Sequence, residues 1–289
     1  MSFPVADTPE TAPAFATRRV IRIRAARGSR AFDLAELWEY RDLIYFLVWR
    51  DSKVRYKQTV LGVAWAILQP LSTMLVFSLF FGRLARIPSD GVPYPLFTYA
   101  ALVPWAFFSN AMIQAANSVV LNQQLITRVY FPRVIIPLST VLSGAVDFAI
   151  TFVVLLGLLM VYDLWPTLRM LWVVPLSVLA LLTATGVGVW LAALNVRYRD
   201  IRYIVPFLTQ FWLFATPIAY PSSLLSEPWR TLYAVNPMVG VVEGFRWAVL
   251  RTPIRPDTAV LIATVVSIAL FLAGVRYFHS VERTFADVV

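Results

Sequence analysis

The sequence predicts an all-α integral membrane protein with six transmembrane helices. An N-terminal cytoplasmic amphipathic helix precedes the first span, and short re-entrant helices lie between spans five and six. Hydrophobic residues make up 59% of the 289 positions and charged residues only 14%, whereas soluble domains usually carry about 25% charged residues. The apolar residues also gather in runs near the roughly 20 residues that a helix needs to cross a bilayer. Lipid is therefore the expected solvent for most of the chain.

Six apolar runs are the candidate spans. They cover residues 62–81, 96–121, 134–162, 171–196, 203–220 and 258–278. An even number of spans places both termini on one side, and eighteen of the 25 Lys and Arg residues fall on that side. The positive-inside rule then predicts a multi-pass membrane protein with both termini in the cytoplasm.

The same pattern divides the chain into three parts. Residues 1–32 form a basic cytoplasmic tail, residues 33–280 a transmembrane domain with its six spans within 62–278, and residues 281–289 a cytoplasmic C-terminus. The tail has no apolar core or cleavage site typical of a signal peptide. Its arginines could indicate nucleic-acid binding, but no aromatic base-stacking module accompanies them, so we expect attraction to anionic membrane lipid and no nucleic acid.

The segment 33–57 is predicted to be an amphipathic helix along the cytoplasmic interface. Asp33 can cap its N-terminus, and Glu36 completes a capping box. One face carries apolar side chains, namely Leu34, Leu37, Trp38, Tyr45, Val48 and Trp49. Arg41 interrupts that face, and a helix in a soluble core is the alternative interpretation.

A second short helix is predicted between spans five and six. Asn236 and Pro237 form an N-cap and first-turn pair, and Glu243 and Arg246 are spaced for an i,i+3 ion pair. The helix is too short to span, so we expect it to dip into the outer leaflet and return, with its backbone buried against protein or water.

The residue inventory excludes several kinds of chemistry on this chain. Cysteine is absent and His279 is the only histidine, so there can be no zinc-thiolate site, histidine metal cluster or histidine-based triad. We expect no catalytic residue and no metal site. The phosphate-binding pattern GxxxxGK[ST] is also missing, so ATP, if it drives this protein, must bind to another chain.

The loop 125–133, between spans two and three, combines bulky aromatic side chains with arginines. Its candidate docking residues are Arg128, Tyr130, Phe131, Pro132 and Arg133. Aromatic and Arg side chains dominate many protein interfaces, which favours a docking surface for a partner. An aromatic belt with positive-inside arginines explains the same residues equally well.

Four motifs in order resemble the permeases of bacterial ABC-type polysaccharide and polyol-phosphate exporters. They are Tyr56 to Gly62 leading to Trp65 and Gln69-Pro70, Val129 to Arg133, Asn195 to Asp200, and Asn236-Pro237 with Glu243 to Arg246. The resemblance covers roughly residues 33–280. It implies a homodimeric permease with six spans per subunit, paired with separate nucleotide-binding subunits that hold ATP and Mg, and it makes the loop 125–133 the contact with the ATPase.

A permease for a lipid-linked glycopolymer needs a path whose walls suit sugar rings, which combine apolar C–H faces with polar hydroxyls. Aromatic side chains beside polar groups meet both needs. The candidate path residues are Trp65, Gln69, Trp105, Phe108, Trp212, Phe214 and Tyr220, with Asn110, Gln114 and Gln210 as polar neighbours. Ordinary interfacial belts and lipid packing are the alternative explanation for each aromatic residue.

Asp147 is the only carboxylate deep inside a predicted span. An ionisable group at that depth is costly unless it is paired or faces water. We expect a structural hydrogen-bonding role or a position facing the pore, and proton coupling is the alternative. A proton-coupled secondary transporter is accordingly the second functional hypothesis, and an intramembrane glycosyltransferase or acyltransferase is the third.

Overall fold

The computed structural model describes residues 34–57, 62–252, 255–282 and 285, and these residues form an all-helical structure. Short 3₁₀ turns occupy Leu168–Trp172 and Ser222–Leu224, and a π-helical turn, Ser78–Leu84, extends α3. The α-helices are α1 Leu34–Glu39, α2 Arg41–Lys57, α3 Gly62–Phe77, α4 Tyr94–Leu121, α5 Gln123–Arg128, α6 Ile135–Ser143, α7 Ala145–Val161, α8 Val173–Arg197, α9 Ile201–Phe214, α10 Trp229–Tyr233, α11 Pro237–Leu250 and α12 Asp257–Val281.

Five of the predicted spans are confirmed as helices long and apolar enough to cross a membrane. Within the described residues they are Gly62–Leu84, Tyr94–Leu121, Ile135–Val161, Leu168–Arg197 and Asp257–Val281. The predicted fifth span corresponds to α9, which has 14 residues and ends at Phe214. At about 1.5 Å per residue it is only about 21 Å long, so the count of six spans stays a prediction.

Helix α4 is the centre of the bundle. It packs against α3, α6, α7, α8, α9 and α11, and its side chains Phe97, Tyr99 and Phe108 are fully buried. Alanines at 100, 101, 111, 115 and 116 are buried as well. Small side chains let the neighbouring helices approach closely, which is how helices associate in a membrane where burial of apolar surface gives little driving force.

Helices α8 and α12 pack closely along most of their length. A Cβ atom at Gly186 would lie 2.7 Å from the backbone of Phe271, so only glycine fits at this crossing. Nearby, the buried hydroxyls of Thr183 and Ser267 hydrogen-bond at 2.7 Å. Close backbone approach together with an interhelical hydrogen bond is typical of membrane helix pairs.

The N-terminal helices, the loop 125–133 and the C-terminal residues meet at one end of the bundle, which we call the loop end. There α2 packs against α6, and Leu47 joins a buried cluster with Phe131, Phe278 and Phe285. The guanidinium of Arg133 donates a hydrogen bond to the carbonyl of Glu282. These contacts agree with the predicted common side, although the side of the membrane stays a prediction.

The predicted interface helix is two helices, because the chain turns at Tyr40 between α1 and α2. Asp33 and the side chain of Glu36 lie outside the described residues, so the capping box is untested. The predicted apolar face is also divided. Leu37 packs with Leu47 toward α6, while Trp38, Tyr45 and Trp49 are exposed on the opposite side.

The predicted short helix after span five is confirmed as α11. The Asn236 side chain accepts a hydrogen bond from the Met238 amide at 3.1 Å, which is the expected N-cap, and Pro237 occupies the first turn. Arg251, at φ 59° in the left-handed region, ends the helix. Glu243 and Arg246 lie 3.7 Å apart and form the predicted i,i+3 ion pair.

Arg246 also connects α11 to the rest of the bundle. Its guanidinium is buried and donates to the carbonyls of Phe97, at 3.1 Å, and Ile218, at 2.7 Å. The guanidinium carbon lies 3.5 Å from the centre of the Phe97 ring. One arginine therefore ties together α11, the first turn of α4 and the irregular segment after α9.

We expect Gly186→Ala to lower the stability of the protein by about 1–3 kcal/mol, because the added methyl group overpacks the contact between α8 and α12. The measurement is thermal unfolding of the purified protein in mild detergent. Gly157→Ala in α7 is the matched control, because nothing lies within 4 Å of its Cβ position and alanine favours a helix. Equal melting temperatures for the two variants would contradict this account of the helix pair.

Candidate functional site

A partly open cavity of about 680 Å³, lined by both polar and apolar side chains, lies between α3, α4, α7 and α9, and we call it the polar cavity. Its volume is within the range of ligand sites in proteins, roughly 300–1,000 Å³. Its lining includes the charged residues Arg55 and Asp147 and several Ser and Thr side chains. It also includes two indole and four amide side chains, which are Trp65, Gln69, Trp105, Asn110, Gln114 and Gln210. A surface of indole rings beside amide groups can contact the apolar face of a ligand and hydrogen-bond its polar groups.

Asp147 lines this cavity and has a partner. The guanidinium of Arg55, near the end of α2, forms an ion pair with one carboxylate oxygen, and the hydroxyl of Tyr56 donates to the other. Arg55 also donates to the side-chain oxygen of Gln114 on α4. The side chains of Arg55 and Asp147 are 25% and 20% exposed, so the pair lies at the cavity wall and is partly open to solvent.

The Tyr56 hydroxyl stays protonated in this cluster. Burial raises the pKa of Tyr56 above its usual value, and the hydrogen bond to Asp147 raises it further. A neutral phenol can donate to the carboxylate, whereas a phenolate would repel it. Asp147 is thus held by one charged and one neutral donor from the same helix, which fixes the end of α2 against α7.

A second, apolar groove of about 850 Å³ lies between α9, α12 and the segment 215–237. Its polar groups pair with one another. The Tyr220 and Tyr233 hydroxyls are 2.8 Å apart, and the Trp212 indole donates to Asn236 at 2.9 Å. Helix α9 separates this groove from the polar cavity, so the short predicted fifth span is a wall with a different chemical environment on each side.

The predicted path residues divide among several environments. Trp65, Gln69 and Trp105 line the polar cavity, whereas Trp212 and Tyr220 line the apolar groove. Phe108 is buried on α4, with its ring 5.0 Å from that of Trp212 on α9 and 5.5 Å from that of Trp105. Phe214 is exposed and lies outside both lining sets.

The predicted docking residues in the loop 125–133 also differ in exposure. Arg128 is the last residue of the short helix α5 and is exposed, and Tyr130 is 76% exposed. In contrast, Phe131 is 5% exposed within the cluster at the loop end, Pro132 is half-buried, and Arg133 contacts the C-terminal residues. The loop thus has an outer part that a partner can reach and an inner part that anchors it.

Sequence reasoning missed Arg55 and Tyr56 as members of the site. The cost of a carboxylate in a span indicated that Asp147 needs a partner, but 92 residues separate it from Arg55. No short-range pattern links such distant positions. The structure supplies the pairing because α2 packs along α6, which brings the end of α2 to the first turn of α7.

Among the described residues, five helices long and apolar enough to cross a membrane define this chain as a multi-pass membrane protein. Comparison with known proteins identifies its family. The ABC-2 type transporter family matches residues 42–250, which is most of the chain, and the chain belongs to this family.

Several characterised relatives share most of their length with this chain. It is 36% identical over 259 residues to an O-antigen export system permease protein of Myxococcus xanthus, covering 88% of this chain and 98% of that protein. It is 27% identical to an O-antigen export system permease protein of Klebsiella pneumoniae, covering 86% and 95%. It is 22% identical to a polysialic acid transport protein of Escherichia coli, covering 81% and 91%.

We expect Asp147→Asn and Arg55→Gln to be coupled in a double-mutant cycle. The partly buried pair should give an interaction energy of about 1–3 kcal/mol, because each single change leaves one charged or polar partner unsatisfied. Denaturant unfolding in mixed micelles measures it. The matched control is Arg41 with Asp42, which are 3.9 Å apart and largely exposed and should show little coupling. Additive effects for Arg55 and Asp147 would contradict the pairing.

Proposed function

We propose that this chain is the permease subunit of an ATP-driven exporter that moves a lipid-linked polysaccharide or related glycopolymer across the bacterial inner membrane. The polar cavity carries the proposal, because its indole and amide groups suit sugar rings. The nearly full-length similarity to permeases named for O-antigen export supports it. The relative named for polysialic acid transport indicates the same class of substrate.

The energy source in this proposal is a separate subunit. The chain has no GxxxxGK[ST] pattern, so ATP and Mg bind to a nucleotide-binding partner and no cofactor binds here. Two copies of the permease pair with that ATPase, and both termini lie in the cytoplasm. In this arrangement residues 1–32 are a basic tail at the membrane surface, 33–280 form the transmembrane domain, and 281–289 are the cytoplasmic C-terminus.

The outer part of the loop 125–133 is the proposed contact with the ATPase. Arg128 and Tyr130 are exposed, two positions apart in the sequence, and at the end where α2 and the C-terminal residues also lie. An arginine beside a tyrosine provides bidentate polar contacts and a large apolar area, the combination most often found at interface hot spots. Phe131 and Arg133 hold the loop to the bundle, so a force on the loop is passed to α6.

The polar cavity is the proposed cytoplasmic part of the glycan path. Trp65, Gln69 and Trp105 supply stacking and hydrogen-bonding surfaces, and the Arg55–Asp147 pair lies at the wall nearest α2. Separation of this pair would move the end of α2 away from α7 and widen the cavity. The proposed opening step is therefore a displacement of α2 when the ATPase acts on α6.

The Arg55–Asp147 pair also favours the second hypothesis, because paired intramembrane charges are a feature of proton-coupled secondary transporters. The two functions differ in their energy source. Proton coupling would make transport depend on a protonatable Asp147 and proceed without an ATPase, whereas the exporter should keep most of its activity with Asp147→Asn and require ATP.

The first test is co-purification of the tagged chain in mild detergent, followed by mass spectrometry and an ATPase assay on the complex. We expect a stoichiometric nucleotide-binding subunit with ATPase activity. Arg128→Glu and Tyr130→Ala should reduce its recovery or uncouple hydrolysis from export by about tenfold or more, the size expected for hot-spot residues.

Two controls locate the effect. Arg83→Glu changes an exposed arginine at the other end of the bundle and should leave recovery unchanged. Phe131→Ala should lower the melting temperature, because it creates a cavity in a buried cluster. A chain that purifies alone and stays inactive with candidate ATPases supplied would overturn the exporter proposal, and normal coupling in both loop variants would overturn the docking role.

We expect Trp65→Ala and Gln210→Ala to reduce polymer export several-fold while leaving ATPase binding and thermal stability nearly unchanged, because both residues line the polar cavity. The measurement is surface polymer in cells that carry each variant at equal membrane abundance. Phe207→Ala is the control on the same helix as Gln210, since Phe207 is 73% exposed on the outer surface of α9. Equal export by all three variants would show that the path lies elsewhere.

A further inference from the structure

Three arginines and three tryptophans form an exposed patch at the end of the bundle opposite the loop end. The patch is centred on the Trp247 ring, which lies 5.4 Å from the guanidinium carbon of Arg169, 5.7 Å from that of Arg255 and 6.2 Å from the Trp172 ring. Arg251 donates a hydrogen bond to the carbonyl of Trp165. We call these six residues the arginine–tryptophan patch.

Most of the positive charge in the patch is not neutralised by carboxylates. Arg255 pairs with Asp257 at 2.7 Å. Within the part of the chain that the structure describes, neither Arg169 nor Arg251 lies within ion-pair distance of a carboxylate, and Asp163 forms no ion pair either. Two positive charges are therefore without a carboxylate partner among the described residues, that of Arg169 over the Trp247 ring and that of Arg251 at the Trp165 carbonyl.

The position of the patch matches the boundary between hydrocarbon and headgroups. It lies at the start of α8 and α12 and the end of α11, where long apolar helices begin or end. Leu168, Leu171 and Val174 beside it are highly exposed, as expected for side chains that face lipid. Tryptophans also concentrate at the level of the lipid headgroups.

We propose that the arginine–tryptophan patch binds the phosphate group of an anionic phospholipid in the leaflet at this end of the bundle. Planar guanidinium groups match phosphate oxygens bidentately and stack on aromatic rings at the same time. The adjacent apolar side chains contact the acyl chains of the same lipid. This lipid site is separate from the export path and does not depend on the proposed substrate.

The arginines also contradict the usual charge distribution. The positive-inside rule depletes Lys and Arg from the side opposite the termini, yet two of the seven predicted there, Arg169 and Arg255, lie at the Trp247 ring. A third, Arg251, is bonded to the Trp165 carbonyl. A bound phosphate accounts for their concentration, because it offsets the mutual repulsion of the guanidinium groups.

The test is native mass spectrometry of the full-length protein, with any co-purifying subunit, titrated with phosphatidylglycerol or phosphatidylcholine in detergent. We expect phosphatidylglycerol to bind more tightly. Arg169→Gln should weaken its binding about fivefold and Arg169→Gln/Arg251→Gln about 25-fold, since each arginine near an anionic lipid contributes about 1 kcal/mol. Arg169→Lys keeps the charge but not the planar group and should fall between wild type and Arg169→Gln.

Arg83→Gln is the control, because Arg83 is exposed at the same end of the bundle but outside the patch. Melting temperatures in phosphatidylcholine check that each variant is folded. Unchanged phosphatidylglycerol affinity in the double variant would overturn the proposal, as would an equal loss in Arg83→Gln or equal binding of the two lipids. Full displacement of the lipid by millimolar inorganic phosphate would instead indicate a free-phosphate site and also overturn it.

Discussion

The backbone polar groups of the irregular segment between α9 and α11 must be satisfied inside the protein, because hydrocarbon supplies no hydrogen bonds and each unsatisfied group costs several kcal/mol. Side chains from α11 and its N-cap meet this requirement. Asn236 donates to the carbonyl of Ala215 at 2.8 Å and Arg246 to that of Ile218 at 2.7 Å. These bonds pair carbonyls of the irregular segment itself. The last carbonyls of α9 are paired locally, that of Trp212 by the Thr216 hydroxyl at 2.8 Å and that of Phe214 by the Tyr220 hydroxyl at 2.9 Å.

Helix α9 presents different side chains to the polar cavity and to the apolar groove. Its side chains divide by helical spacing, with Pro206, Thr209, Gln210 and Leu213 toward the polar cavity. Leu208, Phe211, Trp212 and Ala215 face the apolar groove instead. Opposite faces of α9 thus border two different environments, and Gln210, the only amide side chain in this helix, faces the polar cavity.

Much of the fold follows from local sequence patterns. Apolar runs near the length of a bilayer predict five spans correctly, and Asn236-Pro237 predicts the start of α11 because capping depends only on neighbouring residues. The break at Tyr40 and the end of α9 are set by tertiary contacts, so the sequence pattern predicts one helix at 33–57 and a longer run at 203–220. The apolar residues 215–220 match the pattern of a transmembrane helix, but side chains distant in the sequence pair part of their backbone instead.

The site was predictable in residue type but not in arrangement. The energetic cost of a carboxylate within a span indicates that Asp147 needs a partner. The preference of sugar rings for aromatic surfaces selects Trp65 and Trp105, and the structure places both residues at the polar cavity. Residue type could not separate Phe214, which is exposed, from Trp212, which lines the groove. Only helix packing decides which side of α9 a given aromatic residue occupies.

The short connection between the loop 125–133 and the polar cavity constrains how the two can be coupled. The loop continues directly into α6, which ends at Ser143, and Asp147 lies in the first turn of α7. Helix α2 packs on the same α6 and ends with Arg55 bound to Asp147. A displacement of the loop must therefore move α6 relative to α2 or carry both along. Because packed interfaces favour discrete arrangements over gradual deformation, the Arg55–Asp147 contact is the point where such a movement would first change the cavity.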